Sequence, residues 1–529
     1  MTSPHQTRLL PGAMPRRGMM FSAAAAAVAL ALTACGGGGS NGGPEASPAE
    51  SSKAPATEAV SGKDLKSFYD QKIDWQECGN FECGEIAVPL NYEKLDEGAI
   101  TISVIRAKAT EKSEGSLVVN PGGPGGSGVN MVKDAASMLF SDELRKSYDI
   151  VGFDPRGVGS STAVKCFTDE ELDARMEESR MPRNNEQSIK EIKKDAEADV
   201  LKCKQNTKPE GLLSQITTPN SARDMDILRA ALGHEKLDYL GYSYGTELGA
   251  QYLSLFPENA GRMVLDGALD PTLEMEEVGL GQAKSFEESL DYYLESCTEQ
   301  PNTCWFKGDV AAGRKKLTEA IDKWDAKPMT TEDGRKFSGA AVFEAALLPM
   351  YEPAAHDMLT DALSQAIEDN GPEGIAMLWD LSTERGEDGK YRNNTSQAFY
   401  AYNCMDYGAS ALTEESRKKT REKFKKEAPF YGEALSEHDG CAGWPNAGGA
   451  AQDDFKVSKD IPPVLVVGTK HDPATPYQWS VNLQKQLPGS TLLTFDGWGH
   501  TAYGRSNECV TTGVEDFLLK GKMPKKTNC

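Results

Sequence analysis

The chain has 529 residues, of which 39% are hydrophobic and 26% charged, with 51 glycines, 28 prolines and a formal net charge of −23. At roughly 100–200 residues per folding unit, that length holds several units and a large core, and the composition excludes a coiled coil, a collagen and a wholly disordered chain. So acidic a balance argues against nucleic acid as a partner, because contact with phosphates needs clustered Lys and Arg.

Taken from the N-terminus, Arg16 and Arg17 precede an apolar run from Met19 to Leu32 that ends Leu32-Thr33-Ala34-Cys35. A basic start, a short apolar stretch and small residues at a cut site make residues 1–35 a signal peptide. The run is shorter than the ~20 residues needed to span a bilayer. The tetrapeptide looks like a bacterial lipobox, in which the cysteine is lipidated and becomes the mature N-terminus, so Cys35 is the expected lipidation site. An ordinary secretory signal with a chance cysteine, or a membrane anchor, is the alternative, and the arginine pair leaves the export route open. Residues 36–61 are dominated by Gly, Ser, Pro, Ala and Glu with no aromatic, which reads as a flexible tether. The expectation is an exported domain held by a lipid on Cys35 off the outer face of the cell membrane.

Ten further cysteines, in an exported chain, suggest five disulfides. Connectivity is not fixed by sequence. Pairing in chain order is the simplest, since each bond then closes a local loop: Cys78–Cys83, Cys166–Cys203, Cys297–Cys304, Cys404–Cys441 and Cys509–Cys529. No C-x-x-C occurs and no His sits at ligand spacing from a Cys, so no metal site is expected.

Over residues 62–273, short apolar runs end in Gly- or Asp-rich turns. Ile100 to Ile105 alternates. Leu117 to Val119 leads into Asn120-Pro121-Gly122-Gly123, and Tyr148 to Phe153 into Asp154-Pro155-Arg156-Gly157. Leu237 to Leu240 leads into Gly241, and Met263 to Leu265 into Asp266-Gly267. Separated by helical segments, such runs predict buried parallel strands in a doubly wound α/β sheet. From 274 to 460 the period changes. Leu317, Ile321 and Trp324, then Leu359, Leu363, Ala366 and Ile367, fall at amphipathic-helix spacing, which predicts a helical cap inserted into the core. Val464 to Val467, ending in Gly468-Thr469, returns to strand pattern in the second core part, 461–529. Ligands and catalysis in such sheets sit at the carboxyl ends of the strands.

Three motifs lie at those ends. Gly241-Tyr242-Ser243-Tyr244-Gly245 is a G-x-S-x-G between a strand and the helical Thr246 to Leu255, the context of a nucleophile elbow that forces Ser243 outward at a helix N-terminus. A Gly-rich turn with an idle serine is the bland reading. Of six histidines, His5 leaves with the signal, His234 sits before the elbow strand, and His356 and His438 fall in the insertion. His471 follows the Val464 strand. His500 lies 28 residues later in Gly497-Trp498-Gly499-His500 and is the expected base, unless it is a loop histidine packed on Trp498. Asp472 is the expected acid, with Asp266 and Asp154 as rivals, because it ends the strand nearest in sequence to His500. The order Ser243, Asp472, His500 fits a triad in which the acid orients the imidazole. Thr475 is positioned to fix the acid's loop. Acyl transfer also needs two donors for the oxyanion. One is the Tyr244 N–H and the other comes from the loop Asn120 to Gly128, where Pro124 has no N–H, so Gly123 or Gly122 supplies it, with Gly123 preferred. A phosphate loop would need a following lysine, and none is present. No cofactor is required.

These stretches, with Cys404-Met405-Asp406, Cys441-Ala442-Gly443-Trp444, Gly468 to Pro476 and the closing Cys509…Cys529 segment, resemble the secreted tripeptidyl aminopeptidases of actinobacteria. That family is related to proline iminopeptidases within the α/β-hydrolase superfamily. The likeness runs from Trp75 to Cys529. It implies an α/β-hydrolase core with a helical cap over the site, Ser243, Asp472 and His500 as the triad, and release of tripeptides from peptide substrates with a free N-terminus. One departure is Pro121, which stands where proline iminopeptidases carry the histidine of His-Gly-Gly-Pro-Gly; it sets the chain apart from single-residue, proline-specific release. An exopeptidase must hold the substrate ammonium, for which Asp406 is one of many acids. The alternatives are an extracytoplasmic esterase or lipase using the same triad, or a lipid-anchored peptide-binding protein, which would not need the three motifs in this order.

Overall fold

The computed structural model describes residues 64–181, 186–408, 413–436, 439–445 and 455–529. The signal peptide, Cys35, the tether, His5 and His438 lie outside the described residues.

Eleven strands are described: β1 (Gln76–Cys78), β2 (Phe81–Pro89), β3 (Ala99–Ala107), β4 (Gly115–Asn120), β5 (Tyr148–Phe153), β6 (Leu237–Tyr242), β7 (Ala260–Asp266), β8 (Met329–Thr330), β9 (Lys336–Phe337), β10 (Val464–His471) and β11 (Thr491–Trp498). Nine of them form one sheet in the order β1-β2-β3-β5-β4-β6-β7-β10-β11. From β5 to β11 every neighbour pairs in parallel. The first three strands run antiparallel, and β3 is antiparallel to β5. The core is thus the α/β-hydrolase arrangement, with one correction to the parallel expectation: the sheet is mixed. The stretch between β2 and β3 is too short for a crossover helix, so those strands pair as a hairpin. The alternation of Ile100 to Ile105 belongs to this antiparallel part.

β11 escaped the apolar-run reading because Thr491, Thr494, Asp496 and Gly497 interrupt it, and much of it is only half-buried. It is an edge strand, paired only with β10 within the sheet. The chain's end bridges to its other side at one point: the Thr494 N–H donates to the Thr527 carbonyl at 2.8 Å, and the Cys529 N–H to the Thr494 carbonyl at 2.8 Å. Cys509–Cys529 ties that tail to the helix Glu508–Lys520. All five disulfides join cysteines in chain order.

Apolar side chains gather on both faces of the sheet and in a separate block of helices between β7 and β10. The helix Asp169–Glu178, earlier in the chain, packs on that block as well. Its Met176 is fully buried there, Asp173 takes both Arg385 donors at 2.8 Å, and Ser179 Oγ lies 3.0 Å from Ser338 Oγ. A charge sits deep in the sheet region too. Arg156, fully buried, is bidentate to Asp224 at 2.7 and 2.8 Å and donates to the carbonyls of Pro89, Leu90 and Gln215. The Asp154-Pro155-Arg156-Gly157 turn is therefore a structural rivet between β5, the β2 end and the helix Thr218–Ala231.

Candidate active site

The elbow forms because β6 ends at Tyr242 and a helix begins at Tyr244, leaving one residue to turn the chain. That residue, Ser243, has φ 54° and is 5% exposed. A non-glycine residue in the left-handed region costs on the order of 1–3 kcal/mol, so the surroundings must hold it. They do: the Ser243 N–H donates to the Asp266 carbonyl at 2.9 Å, and the Thr246 N–H and hydroxyl donate to the Ser243 carbonyl at 2.8 and 2.6 Å. Gly241 permits the turn, since a Cβ there would come within 2.3 Å of the Gly245 carbonyl oxygen.

Asp472 follows β10 and His500 follows β11, and the parallel pairing of these strands brings the two loops together. His500 Nδ1 lies 2.8 and 3.0 Å from the two Asp472 oxygens. The same carboxylate accepts the N–H groups of Ala474, Thr475 and Thr501 at 3.0, 2.8 and 3.1 Å. Four donors fix its orientation, and it in turn fixes the imidazole with Nδ1–H toward the acid. Thr475 Oγ1 stands 3.5 Å from the same nitrogen. The helical block supplies the other side of the seat: the His500 N–H donates to the Tyr351 carbonyl at 2.8 Å, and the two rings meet edge to face at 5.2 Å. Tyr351 was not singled out from the sequence, and no motif marks a residue that acts through its backbone oxygen.

The serine and the imidazole converge on one corner, Asp266-Gly267. Asp266 receives the Ser243 amide, and His500 Cε1 is 3.5 Å from the position a Cβ on Gly267 would take. Among the described residues no hydrogen bond joins the Ser243 hydroxyl to His500; such bonds commonly tighten only with substrate bound. The rival acids do other work. Asp266 accepts the Ala502 and Tyr503 N–H groups, shaping the loop after His500, and burial pushes its carboxyl up to about 6. Asp154 accepts the Ser127 hydroxyl at 2.5 Å and the Val129 and Ser160 N–H groups, which buttresses the glycine loop.

That loop packs directly on the elbow. A Cβ on Gly122 would lie 2.9 Å from Ser243 Cβ and 3.0 Å from the Tyr244 nitrogen. The Gly122 N–H is already engaged by Asn120 Oδ1 at 3.0 Å. Gly123 is the next amide along, and no hydrogen bond engages it among the described residues. Tyr244 opens its helix, so its N–H has no carbonyl one turn back within it. The Tyr244 amide on the elbow and the Gly123 amide in the loop packed on it are thus the unengaged donors expected to form an oxyanion hole.

The other described histidines have partners of their own. Trp498 stacks on His471 at 4.1 Å, not on His500, and His471 Nδ1 lies 2.8 Å from Glu288. His356 is buried among Tyr292 and Tyr293, which pushes its pKa down to about 4. His234 Nε2 lies 3.0 Å from Ser116 Oγ. Asp406 is 2% exposed and accepts the Thr218 N–H and hydroxyl, so it is enclosed rather than open to a ligand. Among the described residues no group of three or more His, Cys, Asp or Glu is arranged to hold a metal ion, and no helix is long and apolar enough to cross a membrane.

Glu247, on the elbow helix, and Asp406 are both fully buried, and burial raises their carboxyls to about 8 and about 7, with the Asp406 charge adding to the rise at Glu247. Because the folded-state value of Glu247 lies above its unfolded one, the folded protein holds an extra proton between about pH 4.5 and 8, and stability falls as pH rises through that window. Glu247→Gln removes this dependence. Denaturation midpoints across pH 5–8 should show the wild type losing up to about 1.4 kcal/mol per pH unit relative to the variant; parallel profiles would show that Glu247 does not titrate there.

Comparison with known proteins gives the same direction. Residues 428–529 match the family model described as TAP-like protein. The chain is 33% identical over 480 residues to the serine protease Hip1 of Mycobacterium tuberculosis, covering 86% of this chain and 90% of that protein. It is 32% identical over 462 residues to carboxylesterase B of the same organism, covering 85% and 86%. It is 31% identical over 478 residues to a tripeptidyl aminopeptidase of Streptomyces coelicolor, covering 85% and 84%.

Proposed function

Since the chain belongs to the TAP-like family of α/β-hydrolases, we propose that it is a serine exopeptidase that releases tripeptides from peptides with a free N-terminus. The observation that carries this reading is the Asp472–His500 pair at 2.8 Å, seated on the Asp266-Gly267 corner that also holds the Ser243 amide. His500 Nε2 takes the Ser243 proton as Oγ attacks the third peptide carbonyl. The Gly123 and Tyr244 N–H groups hold the oxyanion. His500 then passes the proton to the leaving amine as the C–N bond breaks. Water, deprotonated by the same imidazole, releases the tripeptide from the acyl-enzyme. Asp472 remains ionised throughout and stabilises the imidazolium.

The five disulfides support a life outside the reducing cytoplasm. A lipid on Cys35 anchors the enzyme to the membrane, and the helical block caps the site.

The test is a free tripeptide amide against its N-acetylated form. Hydrolysis of the first with at least a hundredfold lower kcat/KM on the second is expected; equal rates would remove the exopeptidase reading. The second reading is an esterase, favoured by the relatives named carboxylesterase B. A short-chain ester cleaved while both amides stay intact would establish it.

A further inference from the structure

A cleft of about 850 Å³ opens against the glycine loop, bounded there by Pro121, Gly126 and Ser127 and on its far side by the helix Glu373–Thr383 of the helical block. That volume is at the upper end of ligand sites, roughly 300–1,000 Å³. Neither Ser243 nor His500 lines it. It is therefore a space beside the reacting centre, reached past the loop that carries Gly123.

Its lining holds seven carboxylates against three guanidinium groups. All three arginines are already engaged: Arg335 with Asp333 and Asp380, Arg385 with Asp173 and Asp380, and Arg392 with Asp388. Four exposed acids, Asp134, Glu332, Glu373 and Glu387, carry no ion pair among the described residues, so the cleft keeps a net negative field. Two of the large apolar side chains exposed anywhere in the described protein also lie here. Met377 is 46% and Leu381 38% exposed, one turn apart on the same helix. Two adjacent exposed apolar side chains inside a cleft, unlike ones scattered singly, form a small patch suited to receiving apolar groups of another molecule.

We propose that this cleft binds the departing part of the substrate, a polypeptide segment carrying Lys or Arg interspersed with apolar residues. The inference rests on the exopeptidase reading. An enzyme that cuts off three residues holds a short acyl part at the serine, and whatever is long in its substrate lies on the leaving side. Acids without partners select cationic side chains there, and Met377 and Leu381 take the apolar ones. The attraction acts across an open, solvated surface, so it raises encounter and lowers KM rather than changing the chemical step, and salt weakens it.

The test uses peptides with one common N-terminal tripeptide and leaving segments of alternating Lys and Leu, Glu and Leu, or Ser and Gly. At low ionic strength the Lys/Leu peptide should have a kcat/KM at least tenfold above the Glu/Leu peptide, mainly through KM. The ratio should shrink several-fold in 0.5 M salt. The double variant Glu332→Gln/Glu387→Gln should cut the ratio several-fold, and Met377→Ser should lower the preference for Lys/Leu over a Lys/Ser segment. Equal kcat/KM for the Lys/Leu and Glu/Leu peptides, while the tripeptide amide is still hydrolysed, overturns the inference and leaves the exopeptidase reading standing. A preference untouched by the double variant overturns it too. No hydrolysis of the tripeptide amide is the separate failure, that of the exopeptidase reading itself.

Discussion

Ser243→Ala should lower kcat by a factor on the order of 10⁶, to the residual that oxyanion donors and binding alone sustain, and abolish labelling by a fluorophosphonate. The size of the effect follows from the elbow. Only the hydroxyl is removed; the backbone at φ 54° and its bonds to Asp266 and Thr246 remain. Thermal unfolding should therefore stay within about 1 kcal/mol of the wild type, so that lost turnover reports chemistry and not lost fold. Asp472→Asn is the companion. It keeps the volume but permits the other imidazole tautomer, and a fall of about 10⁴ in kcat is expected. A Ser243→Ala protein that still turns over at a tenth of the wild-type rate would end the assignment of this serine as nucleophile.

Arg156→Ala should be the most damaging change to stability, about 3–5 kcal/mol by urea denaturation with disulfides intact. Arg156 is fully buried, and its loss strands the Asp224 carboxylate, 1% exposed, together with three carbonyl groups that the guanidinium now satisfies. Burial pushes the Asp224 carboxyl up even with the arginine present, and that arginine is the largest influence holding it down. Removing both charges is a different experiment. Arg156→Met with Asp224→Leu should recover most of the loss, because the cost comes from the unpaired charge more than from the missing attraction. A single variant within 1 kcal/mol of the wild type would show that water or a neighbouring group takes the guanidinium's place.

What could be read in the sequence was whatever local pattern dictates. Ser243 and Asp472 were legible as residues at strand ends because strand, turn and punctuation lie within a few residues of each, and His500 from its glycine-flanked loop and its place after them in the chain. The role each plays is what the Ser243→Ala and Asp472→Asn experiments decide. The chain-order disulfides were legible because short loops close most readily. Long-range arrangement was not. Nothing near Ile100 announces that β3 runs antiparallel to β5, since register depends on partners more than forty residues away. β11 lacks a continuous apolar run because an edge strand buries less of itself. Packing of His500 on Trp498 was the alternative to a catalytic role for that histidine, but the strand ends at Trp498, Gly499 turns the chain at φ 111°, and the Trp498 ring stacks on His471, its register partner on β10. Asp266 and Asp154 looked like rival acids because composition cannot say whether a buried carboxylate faces a ring or its own backbone. Tyr351 and the acid-rich cleft depend on how the helical block settles on the sheet, which no window of residues contains.

The last residues of the chain bridge to the outer rim of β11 at Thr494, on the strand that leads into the His500 loop, and one covalent bond from Cys529 to Cys509 keeps them there. Produced where thiols stay reduced, the protein would lose that clasp. The freed rim would then offer a row of unpaired amides and carbonyls to a neighbouring molecule. Preparations from a reducing host should thus self-associate through this side and, with the strand tugged out of place, turn over poorly even though every residue of the reacting centre is intact.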